Sequence, residues 1–166
     1  MNKRPSIRIF TTGGTIDKVY FDAKSEFQVG EPQISDVLHE ANVTFDFAVE
    51  SLMRKDSLEM TDADRVAVRA AVAGAAERHI VVTHGTDTMA VTARALTGIA
   101  DKVIVLTGSM QPARFRFSDA VYNIAAALTA VQLLPAGVYL AMNGRVFDAD
   151  NVRKNVAENR FEKVDS

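Results

Sequence analysis

The amino-acid sequence predicts a single α/β domain built on a doubly wound, mostly parallel sheet. Five runs of apolar and β-branched residues alternate with four segments of helical character along the 166 residues. Alternating strands and helices are typical of parallel sheets, whose right-handed helical crossovers cover both faces. A chain of this length buries about two thirds of its unfolded surface in one core, so one domain suffices for stability.

The apolar runs predict five strands, and their composition predicts where two kinds of strand lie. The alternation of apolar and polar residues over 43–49 indicates a strand near an edge, whereas the third and fourth runs are uniformly apolar and indicate central strands. The runs are Ile7 to Phe10, Val43 to Met53, Ile80 to Val82, Val103 to Leu106 and Gly137 to Met142.

Helical segments separate these runs and predict a three-layer, flavodoxin-like arrangement with helices on both faces of the sheet. Thr61 and Asp64 resemble a capping box at the start of the second helix. The predicted helices are Ile34 to Ala41, Asp62 to Arg78, Thr88 to Ile99 and Ser118 to Leu134.

Two segments lack a clear apolar period. Residues Lys18 to Gly30 follow the first strand, and their mixed polarity predicts a mobile loop that acts as a lid. Residues 143–166 are polar without a continuous apolar face, which predicts a C-terminal hairpin or extended tail.

Composition excludes several classes of partner and site. The 19 basic and 21 acidic residues nearly cancel, so no overall field favours nucleic acid or a membrane surface. Cysteine is absent, which excludes disulfides, thiolate metal sites and cysteine nucleophiles. Lys3 and Arg4 precede an apolar stretch too short for a signal peptide, and no run is long enough to span a bilayer. We expect a cytoplasmic protein with no metal and no cofactor.

Small and polar residues follow four of the predicted strands directly. Ligands of doubly wound sheets bind at the carboxyl ends of strands, so these clusters predict one shared crevice. Taken alone, Thr86 or Asp87 has an alternative interpretation as a cap of the helix near Thr88. The clusters are Thr11 to Thr15, Lys55 to Ser57, Thr83 to Asp87 and Thr107 to Ser109.

Thr15 is the first candidate for chemistry in this crevice. The two glycines before it allow close approach to the backbone, so the hydroxyl after them can meet a substrate. A threonine hydroxyl needs an activating group, and Tyr20, Lys18, or a relay of Thr86, Asp87 and a lysine are the candidates.

Two further residue types have functional and structural interpretations. His84 lies at a strand end without a cysteine or serine partner, which favours a structural histidine over a general base. Arg114 and Arg116 flank Phe115 and could contact phosphate or RNA, but solvated surface arginines are the favoured interpretation.

Six segments together resemble the bacterial L-asparaginase family, whose members hydrolyse asparagine and, to a varying degree, glutamine. The similarity covers almost the whole chain, and the combination is far more specific than a lone TGGT. The segments are TTGGTID at 11–17, KDSLEMT at 55–61, THGTDTM at 83–89, VLTGSMQP at 105–112, SDAVYN at 118–123 and AMNGRVFDADNVRKN at 141–155.

The resemblance implies catalytic roles for five residues. Thr15 is the implied nucleophile and Tyr20, from the lid, polarises its hydroxyl. Thr86, Asp87 and Lys154 match the hydrogen-bonded threonine, aspartate and lysine of the family.

It also implies a substrate site. Asp87 holds the α-amino group, Asp56 and Ser57 grip the amino-acid head, and the backbone near Ser109 lines the amide pocket. Gly14 and Gly85 complete the implied binding residues, and backbone N–H groups near Gly14 and Thr86 are expected to stabilise the oxyanion. Lys55, next to Asp56, is a candidate partner for the substrate carboxylate.

These features predict an amidohydrolase that converts L-asparagine to L-aspartate and ammonia through an acyl-enzyme, with glutamine a minor substrate. The alternatives are a module that senses asparagine or aspartate, and a dinucleotide binder, which the absence of GxGxxG spacing disfavours. Typical family members continue into a second domain, and residues 1–166 resemble the short, single-domain type. We therefore expect a dimer or higher homo-oligomer that covers the crevice.

Overall fold

Ten strands and four helices follow one another in the computed structural model, which describes residues 5–165. The strands are β1 (Ser6–Gly13), β2 (Lys18–Phe21), β3 (Glu26–Val29), β4 (Asp46–Lys55), β5 (His79–Thr83), β6 (Val103–Thr107), β7 (Gly137–Met142), β8 (Arg145–Asp148), β9 (Arg153–Asn155) and β10 (Arg160–Glu162). The helices are α1 (Ile34–Glu40), α2 (Asp62–Gly74), α3 (Met89–Ala95) and α4 (Ala120–Leu133). The prediction drawn from Lys3 and Arg4 concerns residues outside the described range.

The central sheet has six strands in the order β4-β1-β5-β6-β7-β8. All neighbours are parallel except β7 and β8, which confirms the mostly parallel α/β fold class. The alternating strand β4 lies at an edge and the apolar strands β5 and β6 lie at the centre, both as predicted. In each case the composition of the strand matches the number of faces that it buries.

Helices pack on both faces, which confirms the three-layer arrangement. The period of two in β5 sends Ile80 and Val82 to the face covered by α2 and α3, and Val81 to the face covered by α1 and α4. All four helices end earlier than predicted, α1 and α4 by one residue and α2 and α3 by four. Helix α3 stops at Ala95 because Gly98, with φ of 83°, adopts a left-handed conformation that no helix continues.

The C-terminal segment forms two hairpins and belongs to the core. Asn143 and Gly144 have φ of 53° and 73° and connect β7 to β8 in a two-residue turn, the hairpin signal of an Asn-Gly pair. Strands β9 and β10 form the second hairpin. The predicted hairpin is therefore present. Although the segment lacks a continuous apolar face, four of its side chains join the core: Phe147, Ala149, Val152 and Phe161.

The segment predicted as an irregular lid is a β-hairpin, which corrects that expectation. Strands β2 and β3 pair from Lys18 with Val29 to Phe21 with Glu26, and Ser25, with φ of 50°, lies in the turn. Valine, tyrosine and phenylalanine favour strands even where few of them are buried. Among the helices of residues 5–165, none has the length and apolar character that a bilayer crossing requires.

Candidate functional site

The structure brings the four polar clusters together at the carboxyl end of the sheet. The N–H of Gly14 donates to the carbonyl of Lys55 over 2.9 Å, and a Cβ on Gly14 would lie 2.5 Å from the nitrogen of Gly85. A Cβ on Gly85 would lie 2.6 Å from the Cβ of Ser57. These contacts require glycine, because no side-chain carbon fits at such distances.

The fourth cluster adjoins the third. His84 N–H donates to the Thr107 carbonyl over 2.9 Å, and a Cβ on Gly108 would clash with the carbonyl oxygen of His84. Ser109 follows and is buried, but its hydroxyl donates to the carbonyl of Gln111. The side chain of Ser109 therefore stabilises its own loop, and only the backbone nearby remains a candidate for lining a pocket.

Thr15 begins a short 3-10 turn that ends at Asp17, directly after Gly14. Its side chain is partly buried. The N–H of Gly14 is not available as an oxyanion donor, because it already donates to the carbonyl of Lys55. By contrast, the N–H groups of Thr15 and Thr86 make no hydrogen bond to another residue within 5–165. Two backbone donors are thus available beside the candidate nucleophile.

Lys154 connects the C-terminal segment to this crevice. Its Nζ donates to Thr86 Oγ1 over 2.9 Å and to Asp87 Oδ1 over 2.8 Å. The lysine side chain is only 14% exposed, whereas that of Asp87 is 41% exposed. Asp87 is therefore held by a buried cation while its carboxylate still reaches solvent. The capping interpretation of Thr86 and Asp87 is wrong, since α3 begins after Thr88 without a side-chain cap.

Asp56 lies beside this group as an anion. Its Oδ1 accepts from the N–H of Leu58 over 3.0 Å and its Oδ2 accepts from Lys18 Nζ over 3.3 Å. The Leu58 N–H, the adjacent Lys18 and the charge of Lys154 lower the pKa of Asp56, against a smaller opposing effect of burial. Buried Ser57 accepts from the N–H of Thr88. Asp56 and Ser57 thus border the same crevice as Lys154.

Lys55 does not supply the expected cation. Its Nζ donates to both oxygens of Asp64, over 2.9 and 2.8 Å, at the capping box that Thr61 and Asp64 form as predicted. Lys18 is the lysine that contacts Asp56, because β2 begins there and directs it toward the end of β4.

Tyr20 lies on the β2–β3 hairpin and is 53% exposed. Its ring packs edge-on against Phe27, with centroids 5.4 Å apart, and Phe27 packs against Phe115 at 5.6 Å. This aromatic row holds the hairpin against the loop after β6. The arginines of that loop have ordinary partners: Arg114 donates to Gln33 over 3.0 Å and Arg116 lies over the ring of Phe117.

His84 has the structural role that the sequence favours. It is fully buried, its Nδ1 lies 2.7 Å from the Gly85 carbonyl oxygen, and its Nε2 lies 2.7 Å from Thr92 Oγ1. Burial lowers the pKa of the imidazole to about 4, so the ring is neutral at neutral pH. Both ring nitrogens are engaged below the crevice, which leaves none to act as a base on a substrate.

Asp17 is a buried charge-bearing group that the sequence interpretation passes over. It is 2% exposed and accepts from the N–H of Gln33 over 2.9 Å, where the chain leaves the hairpin. Burial raises the pKa of this carboxyl to about 7, although the Gln33 N–H and the charge of Arg54 oppose the shift. No pattern of polarity marks Asp17, because its burial depends on how the hairpin returns.

Comparisons with known proteins agree with this geometry. Residues 6–165 match the family model described as asparaginase, N-terminal. L-asparaginase 2 of Escherichia coli is 32% identical over 161 residues, which cover 90% of this chain and 46% of that protein.

Solved structures show the same fold. L-asparaginase I from Vibrio cholerae superposes with a TM-score of 0.84 at 29% identity over 96% of this chain and 51% of that one. The thermostable L-asparaginase from Thermococcus kodakarensis superposes with a TM-score of 0.82 at 27% identity, over 97% of this chain and 52% of that one. The chain spans about half the length of the curated relatives it matches. Because the family model covers nearly all of it, the chain belongs to the asparaginase family, in the part that corresponds to the N-terminal domain.

Proposed function

We propose that this chain is the catalytic unit of an amidohydrolase that converts L-asparagine to L-aspartate and ammonia, with glutamine a minor substrate. The observation that carries the proposal is the Lys154 ammonium, which donates to Thr86 and Asp87. These two residues follow Gly85, which packs against Gly14, the residue before Thr15. The relatives named L-asparaginase support the choice of substrate.

Substrate binding uses the acidic rim of the crevice. The half-exposed carboxylate of Asp87 accepts from the α-ammonium of asparagine, while Asp56 and Ser57 hold the rest of the amino-acid head. Lys18, already paired with Asp56, supplies positive charge for the α-carboxylate. Together these groups leave the side-chain amide to extend toward Thr15.

Thr15 Oγ then attacks the amide carbon, with Tyr20 polarising the hydroxyl as the hairpin closes over the substrate. The N–H groups of Thr15 and Thr86 donate to the oxyanion, and each such donor contributes about 3–4 kcal/mol in comparable sites. The C–N bond breaks, the proton lost by Thr15 goes to the leaving nitrogen, and ammonia departs from an acyl-threonine ester.

Water completes the cycle by hydrolysing the ester. Thr86 Oγ1 accepts from Lys154, which leaves its own O–H free to orient that water, and the hydrogen bond to Asp87 holds the Lys154 side chain in place. Attack on the ester carbon releases aspartate and returns the proton to Thr15. No metal or cofactor enters this scheme.

The proposal extends to assembly and location. We propose a cytoplasmic homo-oligomer, a dimer or higher, with a small-molecule substrate and with neither nucleic acid nor membrane as a partner. The solvent exposure of the Asp87 and Tyr20 side chains supports the oligomer, since water weakens the electrostatic interactions that the mechanism uses. Sedimentation velocity tests it: a fully active monomer contradicts the oligomer.

Ammonia release from asparagine tests the activity directly, in the wild type, Thr15→Ala and Thr15→Ser. We expect Thr15→Ala to lose turnover and Thr15→Ser to retain part of it, while both still bind aspartate by calorimetry. Wild-type protein that binds asparagine without releasing ammonia contradicts the enzyme and favours the sensing module. A panel with glutamine and D-asparagine measures the breadth of the substrate site.

A further inference from the structure

A buried chain of hydrogen bonds runs beneath the crevice from α2 to the loop after β5. Arg65 Nε donates to Thr92 Oγ1 over 3.1 Å, Thr92 Oγ1 lies 2.7 Å from His84 Nε2, and His84 Nδ1 lies 2.7 Å from the Gly85 carbonyl oxygen. Arg65 is 8% exposed, and Thr92 and His84 are fully buried. These residues lie outside the crevice and have no role in the proposed chemistry.

The partners fix the direction of every bond in this chain. The Gly85 carbonyl only accepts, so Nδ1 of His84 carries the proton and donates to it. A neutral imidazole then has a bare Nε2, which accepts from the hydroxyl of Thr92. Thr92 in turn accepts from the guanidinium of Arg65, which only donates. Each group is satisfied in a single arrangement, and a buried network of that kind is rigid.

The last bond of the chain sets the orientation of a peptide group. The peptide between Gly85 and Thr86 is planar and trans, so its C=O and N–H point in opposite directions. His84 holds the carbonyl from the core side. The N–H of Thr86 therefore points away from the core, and it has no hydrogen-bond partner within residues 5–165.

We propose that Arg65, Thr92 and His84 are positioning residues that orient the Gly85–Thr86 peptide so that the Thr86 N–H faces the reacting carbonyl of the substrate. The inference rests on the proposed function, because it assigns Thr86 as an oxyanion donor. A donor aimed in advance costs no reorganisation during the reaction. Without this chain of hydrogen bonds, the plane of the Gly85–Thr86 peptide can rotate and the Thr86 N–H no longer points toward the substrate.

Acid reverses the hydrogen bond between Thr92 and His84. A protonated imidazole carries a second N–H at Nε2, which can no longer accept from Thr92 and which faces the Arg65 cation beyond it. Burial and Arg65 both lower the pKa of His84, to about 4, so this change requires a pH near 4. The groups around the ring are Arg65 from α2 and Thr92 from α3, with no carboxylate among its hydrogen-bond partners.

Kinetics of Thr92→Val and Thr92→Ser test the proposal. Valine keeps the shape of threonine and removes the hydroxyl, whereas serine keeps the hydroxyl. We expect Thr92→Val to lower kcat for asparagine about 10- to 100-fold, a smaller decrease than removal of an oxyanion donor causes. The KM for asparagine and the Kd of aspartate should stay unchanged. Thr92→Ser retains wild-type kcat. Thr97→Val makes the same change at an exposed position that follows α3 and serves as the control.

Several outcomes separate this inference from the proposed function. A wild type without ammonia release contradicts the function, whereas wild-type kcat in a folded Thr92→Val overturns the positioning role alone. If Thr92→Val fails to fold, imidazole ¹⁵N shifts of the wild type decide instead. A neutral Nδ1–H tautomer of His84 at pH 7 supports the chain of donors, and an Nε2–H tautomer or a charged ring overturns it.

Discussion

The Gly85–Asp87 loop and the β2–β3 hairpin both border the crevice, but they are held in different ways. In the loop, the Gly85 carbonyl is hydrogen-bonded to His84, Gly85 packs against Ser57, and Thr86 accepts a hydrogen bond from Lys154. The hairpin exposes about half of Tyr20 and of Phe27. Its attachments lie at its base, where the Asp17 carbonyl accepts from the N–H of Gly30 over 2.8 Å, and along one aromatic row.

This difference separates two tasks of an active site. Groups that stabilise charge work best when they are fixed before the substrate arrives, which suits the buried loop. Groups that cover a substrate must open and close, which requires an element with few buried contacts. The chain therefore places donors and the lysine on the rigid side and the tyrosine on the hairpin.

Lys154→Met removes the hydrogen bonds that hold the Gly85–Asp87 loop from β9, and it has the largest expected effect. Removing the ammonium leaves Asp87 and Thr86 without their shared partner, so we expect kcat/KM for asparagine to fall about 10²- to 10⁴-fold. Ammonia release measures the change. Lys163→Met removes an exposed lysine of the same segment and is the control. Equal activity of Lys154→Met and wild type shows that the ion pair is structural only.

Asp17→Asn tests the base of the hairpin through pH. The folded-state pKa of Asp17 is about 7 and its ordinary value is 3.8, so between these values the unfolded state loses the proton first and stability falls as pH rises. Well above pH 7 the loss of folding stability caused by the ionised Asp17 no longer changes with pH. Asparagine carries no charge and still accepts from the Gln33 N–H, so we expect the variant to be more stable than wild type by about 2–4 kcal/mol at pH 8.

Denaturant unfolding at pH 4 and pH 8 measures this difference. The gain of Asp17→Asn should vanish near pH 4, where the wild-type carboxyl is protonated in the folded state. Asp22→Asn makes the same change at the exposed tip of the hairpin and should show no such gain. A variant less stable than wild type at pH 8 indicates a carboxylate that is ionised and well bonded.

Tyr20→Phe sharpens the role of the hairpin. In the proposed mechanism the phenol contributes its hydroxyl to catalysis, whereas the ring alone makes the contact with Phe27. We expect kcat to fall about 10- to 100-fold and the free energy of unfolding to stay within about 0.5 kcal/mol of wild type. Tyr122→Phe, at an exposed position of α4, is the control for both measurements. A large loss of stability would show instead that the hydroxyl holds the hairpin.

Thr11→Val and Thr12→Val compare two buried hydroxyls of neighbouring residues near the end of β1. The Thr11 hydroxyl is buried without a partner in the described chain, whereas Thr12 donates to the Thr83 carbonyl over 2.9 Å. Removing the first should stabilise the fold by about 1 kcal/mol, and removing the second should destabilise it by a similar amount. Denaturant unfolding measures both, and equal shifts of the same sign contradict the assignment.

The order of the strands and the layers of helices could be predicted because the apolar period reports burial directly. The alternation over 43–49 and the uniform run of β6 each identify how many faces of the strand are covered. The hairpin at 18–29 was missed because its side chains are mostly exposed, and an exposed strand shows no apolar period. The burial of Phe147 and Phe161 was missed because it depends on two reverse turns.

In the candidate site, too, some features could be predicted from the sequence and others could not. Clusters at strand ends meet because parallel topology brings them together, so Gly14, Ser57 and Thr86 could be placed from position alone. The hydrogen-bond partners of individual side chains could not be predicted in this way. Lys55 turns to a helix cap and Lys18 takes its place, a choice that depends on the path of the hairpin and not on the spacing of residues.

The late position of Lys154 has a consequence for biosynthesis. Its two partners precede it by 67 and 68 residues and are therefore translated well before the strand that carries it. A chain emerges from the ribosome N-terminal end first, so Thr15, Thr86 and Asp87 are outside the ribosome before this lysine is. The proposed site is therefore completed only after β9 has been translated and Lys154 has packed against Thr86 and Asp87.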